Sequence, residues 1–198
     1  DHGDFQLLRL VSNAVKEMSE GELLQMEKAR RLDITEEVYF EIIRQKTATL
    51  LASCCSVGAA SVGADERTQK IMDDFGNKLG MAFQIKDDLF DYGTAEIGKP
   101  VGIDIKERKM TLPLIHALQK ADKSTRRRII NLVKNKSDQP QKVQEVIDFV
   151  KNSGGIEYTK DVMQRFYNEA RELLDEFPDS EYKSSMVRLI KYVIEREK

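Results

Sequence analysis

The sequence predicts an all-α protein, a single-domain helical bundle. Three observations predict it. Apolar residues recur with a period near 3.6 over long stretches, and strand-like alternation is nearly absent. Only four prolines and eleven glycines punctuate the 198 residues. Hydrophobic residues make up 40% and charged residues 33%, an ordinary globular mixture in a chain long enough to bury a substantial core.

Asp4 is a good N-cap for a first helix carrying Phe5, Leu7, Leu8 and Val11. The pattern continues past Val15 and Met18, through or around Gly21, to Leu23, Leu24 and Met26. Thr35 followed by Glu36 and Glu37 reads as the next start, opening a helix from about Glu36 to Ala60. Gly58, Ala59, Ala60, Ser61 and Gly63 are small, which signals close helix packing or a helix end. Another helix spans about Asp65 to Tyr92, and Gly93 to Asp104 is a loop by its Gly and Pro content. Leu112 to Gln119 follows, with Pro113 tolerable in a first turn. Helices over Ser124–Asn135, Gln141–Asn152, Ile156–Phe177 and Ser180–Glu195 complete the chain. There is no repeat, low-complexity tract or linker, so residues 1–198 are expected to form one domain.

The totals exclude several function classes. A net charge of -2 gives no reason to expect nucleic acid as a partner, and no run of roughly 18 apolar residues suits a membrane span. Cys54 and Cys55 are adjacent, which makes them poor disulfide partners. They read as small, reduced apolar residues of an intracellular chain. The sequence starts at Asp1 without methionine or a charged-then-apolar leader, from which a processed chain or a fragment is expected.

One stretch organises the chemistry: Phe83-Gln84-Ile85-Lys86-Asp87-Asp88-Leu89-Phe90-Asp91. At helical spacing Gln84, Asp87, Asp88 and Asp91 form an i, i+3, i+4, i+7 stripe, a polar version of the usual apolar seam. Two interpretations fit. Clustered carboxylates suit Mg²⁺ ligation beside a phosphate-bearing ligand, and they equally suit a solvated helix end. Asp73-Asp74-Phe75-Gly76-Asn77 looks similar but lies about 21 Å earlier along the axis and is expected at the surface. Downstream, Gly98-Lys99-Pro100-Val101-Gly102-Ile103-Asp104 and Lys109 offer glycines for close backbone approach and lysines as point charges toward phosphate. Carboxylates that hold a metal, followed by lysines that hold phosphate, make a metal–diphosphate clamp. Lys46-Thr47, flanked by Ile42, Ile43, Leu50 and Leu51, is a third element; Lys46 faces the same cavity or snorkels from a helix edge. His116 reads as structural, and Arg126-Arg127-Arg128 as a solvated face.

Taken in order, Glu20-Gly21-Glu22-Leu23-Leu24-Gln25, Lys46-Thr47-Ala48, the Phe83–Asp91 stretch, Gly98-Lys99-Pro100 and Lys109-Met110-Thr111-Leu112-Pro113-Leu114 resemble the trans-type polyprenyl diphosphate synthases, particularly the octaprenyl type. The resemblance covers essentially the whole chain. It implies an isoprenoid-synthase bundle around a central cavity and a cytoplasmic homodimer. Asp87 and Asp88 would bind Mg²⁺, with Asp91 supporting the metal cluster. Lys46, Thr47, Gln84, Lys99 and Lys109 would contact the diphosphate, with Lys46, Lys99 and Lys109 as the catalytic cations. Phe83 would line the hydrocarbon cavity. The implied reaction condenses isopentenyl diphosphate with an allylic diphosphate to a longer all-trans polyprenyl diphosphate. Two departures stand out. The family's first aspartate-rich motif and the basic stretch before it are not in these residues, so the activity is expected of a full-length protein rather than of this portion alone. Arg108 occupies a position where the family often has glycine. The rival expectation is a non-catalytic helical subunit that partners a true synthase.

Overall fold

A computed structural model describes residues 5–93 and 101–197, and among these every regular element is helical. The helices are α1 (Phe5–Arg31), α2 (Glu36–Ile43), α3 (Thr49–Ser61), α4 (Glu66–Phe90), α5 (Ile103–Lys106), α6 (Leu112–Lys120), α7 (Lys123–Asn135), α8 (Pro140–Asn152), α9 (Gly155–Leu174) and α10 (Glu181–Glu195). None of them is long and apolar enough to cross a membrane. The chain divides into two compact units, one of residues 5–23, 41–84 and 163–196, the other of residues 24–40, 85–162 and 197.

In the first unit, Phe75, Leu79, Ala170, Leu174, Ile190 and Val193 form a buried cluster, with Leu51, Met72, Tyr167 and Met186 packed against it. These are the apolar rows of α4, α9 and α10, each exposing its charged side. Between α2 and α3 the expected continuous helix widens into a single π turn, Arg44–Ala48, in which the Thr49 N–H donates to the Arg44 carbonyl five residues back. Its neighbours approach closely. A Cβ on Gly80 would stand 2.4 Å from Ala48 Cα, so only glycine lets α4 pass there. Gly21 serves the same purpose from α1: a Cβ would meet Gln45 Cβ at 2.8 Å. Helix α1 runs through Gly21 without a break. Arg44 is held by Glu17 at 2.7 Å and by Glu41 at 2.9 Å. Gly58 has open space around its Cα, so the small-residue run marks a helix end, closed by Gly63 at φ +74°.

In the second unit α8 packs against both α6 and α7, and Leu112, Leu114 and Ile115 of α6, Ile129 and Val133 of α7 and Val146, Ile147 and Val150 of α8 are buried. Pro113 occupies the first turn of α6, where no N–H is missed. Helix α7 begins one residue before Ser124 because Asp122 caps it, accepting from the N–H groups of Ser124 and Thr125 at 2.8 and 3.0 Å. These hydrogen bonds from Thr125 and Ser124 hold the Asp122 carboxyl well below the usual range. Thr35 Oγ1 accepts from the Val38 N–H at 3.4 Å at the start of α2. His116 is structural, stacked on Tyr158 at 3.9 Å between ring centres. Arg126, Arg127 and Arg128 are exposed.

Two further expectations change: the loop after Gly93 contains the short helix α5, and α9 stops at Leu174 rather than Phe177. Asp4, the expected first cap, lies outside the described residues. Asp73 and Asp74 pair with Lys70, as a surface patch would.

Candidate diphosphate and metal site

In the first unit the π turn presents Lys46 and Thr47. Thr47 Oγ1 donates to Gln84 Oε1 at 2.9 Å, joining two of the sequence-predicted residues. Lys46 Nζ lies 2.7 Å from Glu22 Oε2, so the Glu-Gly-Glu segment of α1 supplies a counter-charge to this lysine. Both side chains are part-exposed. Phe83 is half-buried, with the Arg196 guanidinium 4.2 Å from its ring centre.

In the second unit, α4 delivers Asp87 and Asp88 and then ends at Phe90. Asp91 therefore leaves the helical row expected from its spacing. Its carboxylate turns to α5, accepting from the N–H of Ile103 at 2.7 Å and of Asp104 at 3.2 Å. Helix α5 has no cap of its own, since the preceding residue is Gly102 at φ 80°; Asp91 supplies it from 12 residues upstream. The Gly102 N–H also donates to the Asp91 carbonyl at 3.0 Å. Asp88 is buried and accepts at Oδ2 from the Tyr39 phenol at 2.7 Å. Tyr92 and Thr111 share a buried hydroxyl–hydroxyl bond of 2.9 Å beneath the turn. Lys109 Nζ sits 3.4 Å from Asp104 and 2.6 Å from Glu107.

Negative charge accumulates here. Burial and the charge of Asp104 lift the Asp91 carboxyl to about 6, against the opposing pull of its backbone donors. Burial raises Asp104 as well, with Glu107 and Asp87 adding to the rise and Lys109 opposing it. Burial and then Asp88 push the Tyr39 phenol well above its ordinary value. Among the described residues no three His, Cys, Asp or Glu side chains converge as a metal cage. Mg²⁺ commonly takes only one or two carboxylates and completes its octahedron with water and substrate phosphate. A set of hard oxygen donors under mutual repulsion, with Asp87 and Asp88 on the last turn of α4, fits that mode of binding better than a closed protein cage.

The other sequence-predicted residue, Lys99, lies outside the described residues together with Gly98 and Pro100. Sequence reasoning assigned no role to Tyr39, Asp104 or Glu107. Tyr39 carried one usable signal, a helical spacing of seven residues before Lys46. The long-range contacts of Asp104 and Glu107 had none.

Comparison with known proteins adds an independent line. The polyprenyl synthetase profile matches residues 1–150. The chain is 35% identical over 194 residues to the short chain isoprenyl diphosphate synthase of Methanothermobacter thermautotrophicus, covering 97% of this chain and 59% of that protein. It is 30% identical to the octaprenyl diphosphate synthase of Escherichia coli, over 99% of this chain and 61% of that protein. The decaprenyl diphosphate synthase of Rhodobacter capsulatus superposes with a TM-score of 0.91 at 36% identity, covering 99% of this chain and 61% of that one. The described residues are helical throughout their regular elements and share the fold of these prenyl diphosphate synthases. The chain is a member of the polyprenyl synthetase family, and it spans about three-fifths of the length of the relatives it matches.

Proposed function

We propose that the chain is part of a Mg²⁺-dependent prenyltransferase that condenses isopentenyl diphosphate with an allylic diphosphate. The observation that carries this is the carboxylate group at the end of α4, with Asp88 buried and Asp91 raised by burial and by Asp104, in a chain of this family. Asp87 and Asp88 would hold the metal, and Asp91 supports the cluster by fixing α5. When bound, Mg²⁺ offsets the negative charge that grows on the departing diphosphate.

The chain's own residues have separate tasks. Lys46 and Lys109, together with Lys99 outside the described residues, would supply positive charge to the diphosphate oxygens, an electrostatic contribution to ionisation. The Thr47–Gln84 bond orients both polar groups, and Phe83 offers an aromatic surface to hydrocarbon. The allylic C–O bond breaks with its electron pair leaving on the diphosphate. The isopentenyl double bond then attacks the allylic cation, and loss of a proton restores an alkene. A polyprenyl synthase from Caulobacter crescentus, 29% identical with a TM-score of 0.90, is described in complex with calcium and isoprenyl diphosphate, which supports a divalent cation and this ligand class. The exposed apolar row of Phe5, Leu8 and Val15 on α1 supports a homodimer, and the free Cys54 and Cys55 support a reducing, cytoplasmic setting.

The test is Mg²⁺-dependent transfer of radiolabelled isopentenyl diphosphate onto an allylic diphosphate by the protein carrying these residues. EDTA or Asp87→Ala should lower the rate by orders of magnitude. A well-folded protein that forms no product at any Mg²⁺ concentration would sink the assignment.

A further inference from the structure

The geometry points to Tyr39 as the positioning residue for Asp88, holding that carboxylate in the rotamer from which it would meet a divalent cation. The inference rests on the proposed metal–diphosphate function. Tyr39 is 3% exposed and Asp88 5% exposed, and their 2.7 Å bond joins residues 49 apart in sequence. Tyr39 is fixed on its own side by α2, where its N–H donates to the Thr35 carbonyl, and by an edge-on contact with Phe40. Its electrostatic surroundings are acidic: Asp88, Asp104 and Tyr92 all act on the phenol.

The chemistry of the donor matters. A carboxylate that binds a metal needs an outer hydrogen-bond partner to fix its orientation, and loss of such partners typically costs 10–100-fold in metal affinity. A lysine or arginine would orient Asp88 but would also neutralise it and compete with the incoming cation. A phenol orients without neutralising. Tyr39 therefore orients the Asp88 carboxylate without placing a positive charge beside it.

The experiment measures binding of inorganic pyrophosphate by calorimetry as a function of Mg²⁺, with wild type, Tyr39→Phe, Asp88→Asn and the double variant. Tyr39→Phe keeps the ring and should raise the Mg²⁺ concentration for half-maximal binding about 10–100-fold. In the Asp88→Asn background the same change should have no further effect. A structural role would move both backgrounds equally and would overturn the assignment, as would wild-type behaviour of Tyr39→Phe. Asp88→Glu, which keeps the charge but displaces it from the phenol, should show the same loss; unchanged binding in that variant also overturns it. If wild type binds no Mg²⁺–pyrophosphate, the functional proposal falls together with this one. If Asp88→Asn abolishes binding but Tyr39→Phe does not, only the role of Tyr39 falls.

Discussion

The Lys46 ammonium stands 2.7 Å from the Glu22 carboxylate, while its neighbour Thr47 is tied to Gln84 at 2.9 Å. Two adjacent residues of one π turn are thus anchored by different helices, one through charge and one through a neutral bond. A part-exposed ion pair of this kind is worth at most about 1 kcal/mol to stability. On the proposed function, Glu22 would matter more as a carboxylate that an incoming diphosphate has to displace from Lys46. Glu22→Gln should leave the thermal midpoint within about 4 °C of wild type and tighten Mg²⁺–pyrophosphate binding several-fold. Weaker binding in that variant would show that Glu22 orients Lys46 instead of competing for it.

The π turn depends on glycine contacts, and two glycines make a matched comparison. Gly80→Ala forces a Cβ to 2.4 Å from Ala48 Cα, so backbone must move. The expected cost is about 2–4 kcal/mol, with pyrophosphate affinity reduced because Lys46 and Thr47 shift. Gly58→Ala meets nothing within 4 Å on α3 and should stabilise by about 0.5–1 kcal/mol through helix propensity alone. Urea unfolding of the two variants reads both signs. Equal effects would refute the close-packing account.

Most of the helical order was legible in the sequence, because amphipathic spacing and caps act locally. Ser180 and Pro140 sit at helix starts within a residue of where their chemistry put them. The π turn was not legible, since Ile42 to Leu51 keeps a helical apolar pattern and the widening is fitted to glycines on two other helices. Asp91 shows the same limit. Its spacing put it on the row of Asp87, but the helix ends at Phe90, and its partners are backbone groups of Ile103 and Asp104. Residue types and order exposed the candidate site. Tertiary contacts assigned Asp88 to Tyr39 and Lys109 to Glu107.

Asp91 also gives the metal-free protein a pH dependence with a defined sign. Its folded value, about 6, exceeds the unfolded value of about 3.9. Between those values the folded chain binds more protons than the unfolded chain, so stability is greatest at the acidic end and is lost as pH rises through 6. The expected size is on the order of 1–2 kcal/mol once residual solvent screening is allowed for. Asp104, raised by burial, acts in the same direction, and His116, lowered by burial, opposes it. The measurement is the thermal midpoint in EDTA at pH 5 and pH 7. Wild type should gain more on acidification than Asp91→Asn, and identical gains would remove Asp91 as the source.

Arg108 offers the sharpest test of local strain. Its φ of 59° puts a non-glycine residue in the left-handed region, between α5 and Lys109. The turn requires it: the Arg108 N–H donates to the Ile105 carbonyl at 3.0 Å, and the Lys109 N–H to the Asp104 carbonyl at 2.8 Å. These bonds reverse the chain and bring Lys109 back to Asp104. Arg108 is exposed, so its side chain offers little packing to offset the conformational cost of about 1–2 kcal/mol. Glycine would remove that cost but gain freedom in the unfolded chain worth about 0.4–1 kcal/mol. Arg108→Gly should therefore stabilise by up to about 1 kcal/mol, and Arg108→Ala should bring no such gain because its Cβ keeps the strain. Denaturant midpoints with unchanged slopes would report this directly. A destabilised glycine variant would mean that the arginine side chain itself holds the turn.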